Sequence, residues 1–238
     1  MECPLTLPQR RLLALVVAGL VGAVAVIPHL LMNLAQLLGS GILITLAAAA
    51  GTWFAPRAGL TAPIIDAALT RQPFGARARS VASLAIALAV AAALAVIAAD
   101  VVVFGPLLQR AQTTPPTAPP PLWTGVLAAL YGGLTEEILL RYGVMSLLAW
   151  LLAKMVQGPA LYWAAIAGSA VLLGLAHLPA TAALLPLTPL VVTRTIVLNG
   201  LVGMVFGWIY WRRGLEAAMV SHGAAALVLH PAVVAIGV

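Results

Sequence analysis

The sequence predicts an all-α fold, a polytopic membrane helical bundle of about seven transmembrane helices, and three observations carry that prediction. Of 238 residues, 63% are hydrophobic and 8% charged, against about 25% charged in an ordinary soluble domain. Mean hydropathy is +1.10. The apolar residues fall into runs near 11–32, 37–55, 80–104, 122–154, 160–178, 190–211 and 215–237, close to or above the roughly 20 residues that a span requires.

Arg10 and Arg11 precede the first run, which is the charge order of a signal peptide. No small-residue cleavage motif follows, so the run reads as an uncleaved first span. Between the second and third runs, 57–79 carries Arg57, Asp66, Arg71, Arg77 and Arg79 around Ile64, Ile65, Ala68 and Leu69, as expected of an interfacial segment or a solvated loop. The stretch 113–121 holds five prolines and no periodicity, which predicts an irregular loop. That loop divides the chain into 1–112, with three helices, and 122–238, with four. The first part is rich in Ala, Leu and Val, and the suggestive polar residues lie in the second.

The formal charge of +6 arises from 11 Arg and one Lys against six acids. These basic residues form no stripe with interleaved aromatics, which argues against nucleic acid as a partner; membrane lipids are the expected surroundings. With the N-terminus inside, Arg10, Arg11, Arg57, Arg71, Arg77, Arg79, Lys154, Arg212 and Arg213 face the cytoplasm and Arg110 faces outward. This asymmetry satisfies the positive-inside rule and places the C-terminus outside. Cys3 is the single cysteine, which excludes an internal disulfide and a cysteine-based metal site.

Chemistry concentrates in the fourth span, where Thr135-Glu136-Glu137-Ile-Leu-Leu-Arg141 puts three ionisable groups among apolar neighbours. A charge at the bilayer centre costs about 2.5–3.5 kcal/mol even on the lenient insertion scale, so such groups face a cavity or one another. Glu137 and Arg141 are one helical turn apart in the favourable acid-first order, which predicts a supporting ion pair. Glu136, about 100° round the helix, is left to act as a general base on water. His177 closes the fifth span and His222 lies in the seventh. One carboxylate and two imidazoles can activate water and stabilise an oxyanion, or ligate a divalent metal. Locking helices together is the other use of these groups.

The remaining polar residues are assigned structural roles. His29 and His230 sit beside prolines near apolar ends. Asp66 and Asp100 are expected in solvated or helix-end positions, and Trp208, Tyr210 and Trp211 before Arg212 and Arg213 read as interfacial anchors. Ser221 beside His222 is a poor nucleophile–base pair, because i and i+1 point in different directions on a helix. No H-E-x-x-H helix, phosphate loop or G-x-S-x-G elbow is present.

These residues resemble the CPBP family of intramembrane proteases, which includes the type II CAAX prenyl proteases and Abi-like proteins. Glu136, Glu137 and Arg141 match its E-E-x-x-x-R motif. His177 matches F-x-x-x-H, with Leu173 replacing Phe, and His222 matches H-x-x-x-N, with Ala226 replacing Asn. The stretch from Gly203 to His222 also looks like the family's ending. The resemblance implies that Glu136 and His177 activate water, that His222 holds the oxyanion, and that a peptide or membrane protein is the substrate. Ala226 removes a donor that the family carries, and Asn199 in the sixth span is the candidate substitute. A non-catalytic scaffold or immunity protein of the same fold, and a proton-coupled transporter with a buried relay, are the alternatives.

Helix rise makes a further demand on the site. Glu136 lies about 27 Å from Lys154, His177 about 28 Å from Gly158, and His222 only about 12 Å from Gly214. The three meet only if the fourth and fifth helices protrude or the turn at Gly214 is recessed.

Overall fold

Each apolar run becomes a helical rod because a chain in hydrocarbon must satisfy its amides internally, and a helix does so within one segment. The computed structural model describes residues 5–26, 34–111 and 121–236. Helix α1 is Leu7–Ala25, α2 Leu34–Phe54, and α3 the short Pro63–Leu69. Helix α4 runs through Gly75–Ala99, a π-helical turn at Asp100–Phe104, and Gly105–Arg110. Helix α5 comprises Thr124–Leu130, a π-helical stretch Tyr131–Met145, and Ser146–Leu152. Then come α6 (Pro159–Ala176), α7 (Leu178–Ala182), α8 (Pro189–Arg213) and α9 (Leu215–Ile236). No strand occurs among the described residues.

Among the described residues five stretches are long and apolar enough to cross a membrane: Leu7–Ala25, Leu37–Phe54, Gly75–Arg110, Pro159–Ala182 and Pro189–Arg213. Helices α5 and α9 pack against these but are not among the five, so the expected count of seven is not reached. On α2, Leu38, Ile42 and Leu46 recur every fourth residue and are about 60% exposed, an apolar stripe that only lipid would cover. Helix α4 turns the opposite kind of stripe inward. Its Ala85, Ala89 and Ala93 are buried, and small side chains at that spacing let helix backbones approach closely. Most of 112–121, including the proline-rich loop except Pro121, lies outside the described residues, as do Cys3 and His29.

Helix α5 is the central rod, packed against α1, α2, α6 and α9. Thr135 Oγ1 donates to Gly19 O of α1 at 2.8 Å, and buried Ile138, Tyr142 and Met145 anchor one core. A second core joins α4, α8 and α9 through Ala89, Ala93, Phe104, Val202, Phe206 and Ala225. The segment 57–79 is neither wholly loop nor wholly interfacial, because α3 is stapled to the bundle. Asp66 pairs with Arg11 at 2.6 and 2.8 Å, and Glu216 Oε1 accepts from the Ile64 and Ile65 amides at 2.9 and 2.7 Å.

Two expectations for polar residues are corrected. Asp100 is not solvated; it is buried and held by Arg194 of α8 at 2.7 and 2.5 Å, as a carboxylate in an apolar setting requires. Tyr210 is not an interfacial anchor. It faces inward, is fully buried, and shares a 2.9 Å hydrogen bond with Ser146, whereas Trp211 stacks on Tyr162 with centroids 4.6 Å apart.

The depth demand is met by two features. A π-helix places more residues in a given length than an α-helix, so Tyr131–Met145 shortens α5. The turn at Gly214, whose φ of +98° suits a residue without Cβ, is tucked beneath the α3 segment. Leu215 N–H donates to Thr61 O at 3.0 Å, and a Cβ on Gly214 would lie 2.5 Å from Pro63.

Candidate active site

Glu136 and Glu137 project from the π-helical part of α5, where the i→i+5 hydrogen-bonding pattern widens the helix; such segments recur at functional sites. His177 is the residue that ends α6 before the turn into α7. His222 stands two turns into α9. Its approach to α5 depends on Gly132, because a Cβ there would lie 2.6 Å from His222 Nε2.

The three residues expected to work together do converge. His177 Nε2 is 3.9 Å from Glu136 Oε1, and His222 Nε2 is 3.6 Å from Glu136 Oε2. Both separations exceed a direct hydrogen bond and suit a bridging water. The other ring nitrogens are fixed. His177 Nδ1 lies 2.9 Å from Leu173 O, and a carbonyl only accepts, so Nδ1 donates. His222 Nδ1 lies 2.8 Å from Glu137 Oε1, where an ionised carboxylate likewise accepts. Each imidazole therefore turns its free Nε2 toward Glu136.

Beneath this layer lies the supporting pair. Glu137 and Arg141 are wholly buried, with Nε 3.6 Å from Oε2, and Arg141 Nη2 donates to Gly203 O at 2.9 Å. Glu137 is thus shared: one oxygen faces Arg141 and the other holds His222. Phe206 stacks on the His222 ring at 4.5 Å and lies under the Arg141 guanidinium at 5.8 Å.

Glu136, His177, Asn199, His222 and Ala226 line one cavity of about 330 Å³. Leu173, Val202 and Phe206 give it apolar walls. A neighbouring cavity of about 470 Å³ shares Tyr131, Glu136 and His177 and extends past Leu127 and Ala180. Asn199 Nδ2 donates to Thr195 O at 2.9 Å, which leaves its carbonyl oxygen and one N–H uncommitted by that bond. His230 bonds Thr124 Oγ1 at 2.8 Å and also borders the cavity. Ser221 is buried on α9 and lines neither of these cavities. Among the described residues no group of three or more His, Cys, Asp or Glu is gathered closely enough to hold a metal ion.

Sequence reasoning missed the Glu137–His222 bond, Tyr131 and Phe206. Gly132 and Gly133 next to the acid motif were the available signal, since adjacent small residues mark a close helix approach. A Cβ on Gly133 would sit 2.9 Å from Met219 O.

Residues 118–228 match the family model of the type II CAAX prenyl endopeptidases, Rce1-like. The matched stretch is just under half of the 238 residues and is similar to that family. The match is consistent with the resemblance carried by the three motifs, and it spans Glu136, His177, Asn199 and His222 of the cavity. No curated protein and no solved structure matches the chain. The Rce1-like segment lies among several helices long and apolar enough to cross a membrane, as suits an integral membrane protein.

Proposed function

We propose that the protein is an intramembrane endopeptidase that hydrolyses a peptide bond with a water activated by Glu136, its N-terminus in the cytoplasm and its C-terminus outside. The observation that carries this reading is the pair of imidazoles turning Nε2 toward one carboxylate at 3.6 and 3.9 Å. A water between Glu136 and His177 donates one hydrogen to each. Glu136 takes a proton as the water oxygen attacks the carbonyl carbon. For His222 to donate to the resulting oxyanion, Nε2 must carry a proton while Nδ1 donates to Glu137, so His222 acts as the imidazolium.

Collapse of the intermediate breaks the C–N bond. Glu136 returns its proton to the departing nitrogen, giving a carboxylic acid and an amine. Two carboxylates, one guanidinium and one imidazolium then balance in charge, which a buried site needs. Asn199 stands in for the missing donor at Ala226. No step requires a metal.

The matching family is that of CAAX prenyl endopeptidases, and the apolar cavity walls suit a hydrophobic chain. The test is cleavage by the purified protein of a prenylated CAAX peptide and of an unmodified membrane-spanning peptide, alongside Glu136→Gln. Loss of a general base lowers kcat by about 10²- to 10⁴-fold; equal activity in both proteins ends the reading. Ala226 favours a second reading, a binding scaffold of the same fold. In that case the wild type cleaves neither peptide but retains one of them on a pull-down.

A further inference from the structure

A second polar cavity lies at the other end of the bundle from the π-turn of α4, where α8 gives way to α9. Its volume is about 180 Å³, room for several waters. Arg77 and Ser80 from α4, Thr61 from the α3 segment, and Trp211, Arg212 and Arg213 from the end of α8 line it. Three arginines from two helices thus line one concave space together with two hydroxyl-bearing residues.

The acids among the described residues make their bonds elsewhere. Asp66 pairs with Arg11, Asp100 with Arg194, and Glu137 with Arg141. Glu136 faces the two histidines. Glu216, two residues beyond Gly214, gives Oε1 to the Ile64 and Ile65 amides, while its Oε2 makes no hydrogen bond and lies beside Gly214. Among the described residues no carboxylate lies within ion-pair distance of Arg77, Arg212 or Arg213. Three cations that line one cavity with no carboxylate paired to them repel one another, and an anion from outside relieves that repulsion. The walls are firm: Trp211 is stacked on Tyr162, and Arg212 lies over the Trp211 ring at 5.2 Å.

We propose that this cavity binds a phosphate group through Arg77, Arg212 and Arg213. Guanidinium forks match phosphate oxygens bidentately, and basic pockets between helices on the cytoplasmic side take anionic head groups. The phosphate comes either from an anionic phospholipid of the surrounding leaflet or from solution. Its binding ties the start of α4 to the turn from which α9 carries His222.

The protein reconstituted in phosphatidylcholine nanodiscs, with and without phosphatidylglycerol, separates the sources. Lipid retention is read by native mass spectrometry and stability by the thermal midpoint, with inorganic phosphate added to the phosphatidylcholine sample as a third arm. One of the two phosphate sources should raise the midpoint. In Arg77→Gln/Arg212→Gln/Arg213→Gln, affinity for that source should fall on the order of a hundredfold, about fivefold per arginine. Arg57→Gln/Arg71→Gln/Arg79→Gln, with the same charge change outside the cavity, should keep it. If the triple variant does not fold, Ser80→Glu supplies an internal counter-charge and should abolish the effect alone. Equal losses in both triple variants, or no response to either phosphate source, overturn the proposal.

Discussion

Two buried ion pairs hold this bundle together, and they are built differently. Asp100 and Arg194 join α4 to α8 through two parallel hydrogen bonds of 2.7 and 2.5 Å, so each group largely satisfies the other. Glu137 and Arg141 are more deeply buried yet stand 3.6 Å apart, and Glu137 Oε2, Arg141 Nε and Arg141 Nη1 make no hydrogen bond. The other Glu137 oxygen holds His222. A pair that satisfies itself fastens helices. A looser pair, with one member bonded to a third group, positions that group.

The sharpest way to break this distinction is to replace each pair with apolar residues. Such swaps in a protein interior are often neutral or stabilising by about 1–4 kcal/mol. Glu137→Leu/Arg141→Met should therefore stay folded, while His222 loses the acceptor that orients its ring and offsets its charge. We expect kcat to fall about 10³-fold, as when an oxyanion donor is misplaced, with KM little changed. Cleavage kinetics beside thermal unfolding in detergent separates the two effects. An unchanged kcat would reduce Glu137 to a fastener.

The pair of α4 and α8 should respond in the opposite sense. Arg194→Ala strands a buried carboxylate and should destabilise the protein by about 3–5 kcal/mol, read as a lowered unfolding midpoint. Asp100→Leu/Arg194→Met should recover that loss, and kcat per folded molecule should match the wild type throughout. A fall in kcat in the stable double variant would mean that this pair also shapes the site.

The legibility of the two pairs in the sequence differed for a physical reason. Glu137 and Arg141 are four apart on one helix, a spacing that local geometry alone interprets. Asp100 and Arg194 are 94 residues apart, and nothing local ties them, so Asp100 read as a helix-end residue. The helical bundle itself was legible because lipid imposes it on any apolar run. Glu136, His177 and His222 were legible as isolated ionisable groups in such runs. Their meeting was not, because ideal helix rise put His222 at the wrong depth; the π-helical stretch of α5 and the tucked turn at Gly214 are tertiary features. Tyr210 was misread because it shares a segment with Trp208 and Trp211 but faces inward to Ser146.

Asn199 carries a smaller expected effect. It lies on the same cavity as His222 and Ala226, one turn beyond Thr195, whose carbonyl takes one of its N–H groups. If its second N–H serves the oxyanion, Asn199→Ala should lower kcat by about 10²-fold, the lower end for one such donor. Asn199→Asp, which keeps the size but removes the donor, should do the same.

Ala226→Asn should change the least in the wild type and the most in a damaged background. An asparagine at 226 stands one turn beyond His222 on α9 and restores the donor that the resemblance expects there. Where Asn199 already serves the oxyanion, a second amide adds little, and kcat should rise by no more than about threefold, a gain worth under roughly 1 kcal/mol. In the Asn199→Ala background the same change should recover most of the lost rate, because the two amides then substitute for one another. The coupling between positions 199 and 226 in that double-mutant cycle is the measurement. Additive effects would show that Asn199 and residue 226 serve different atoms, and Asn199 would then be helix packing rather than part of the site.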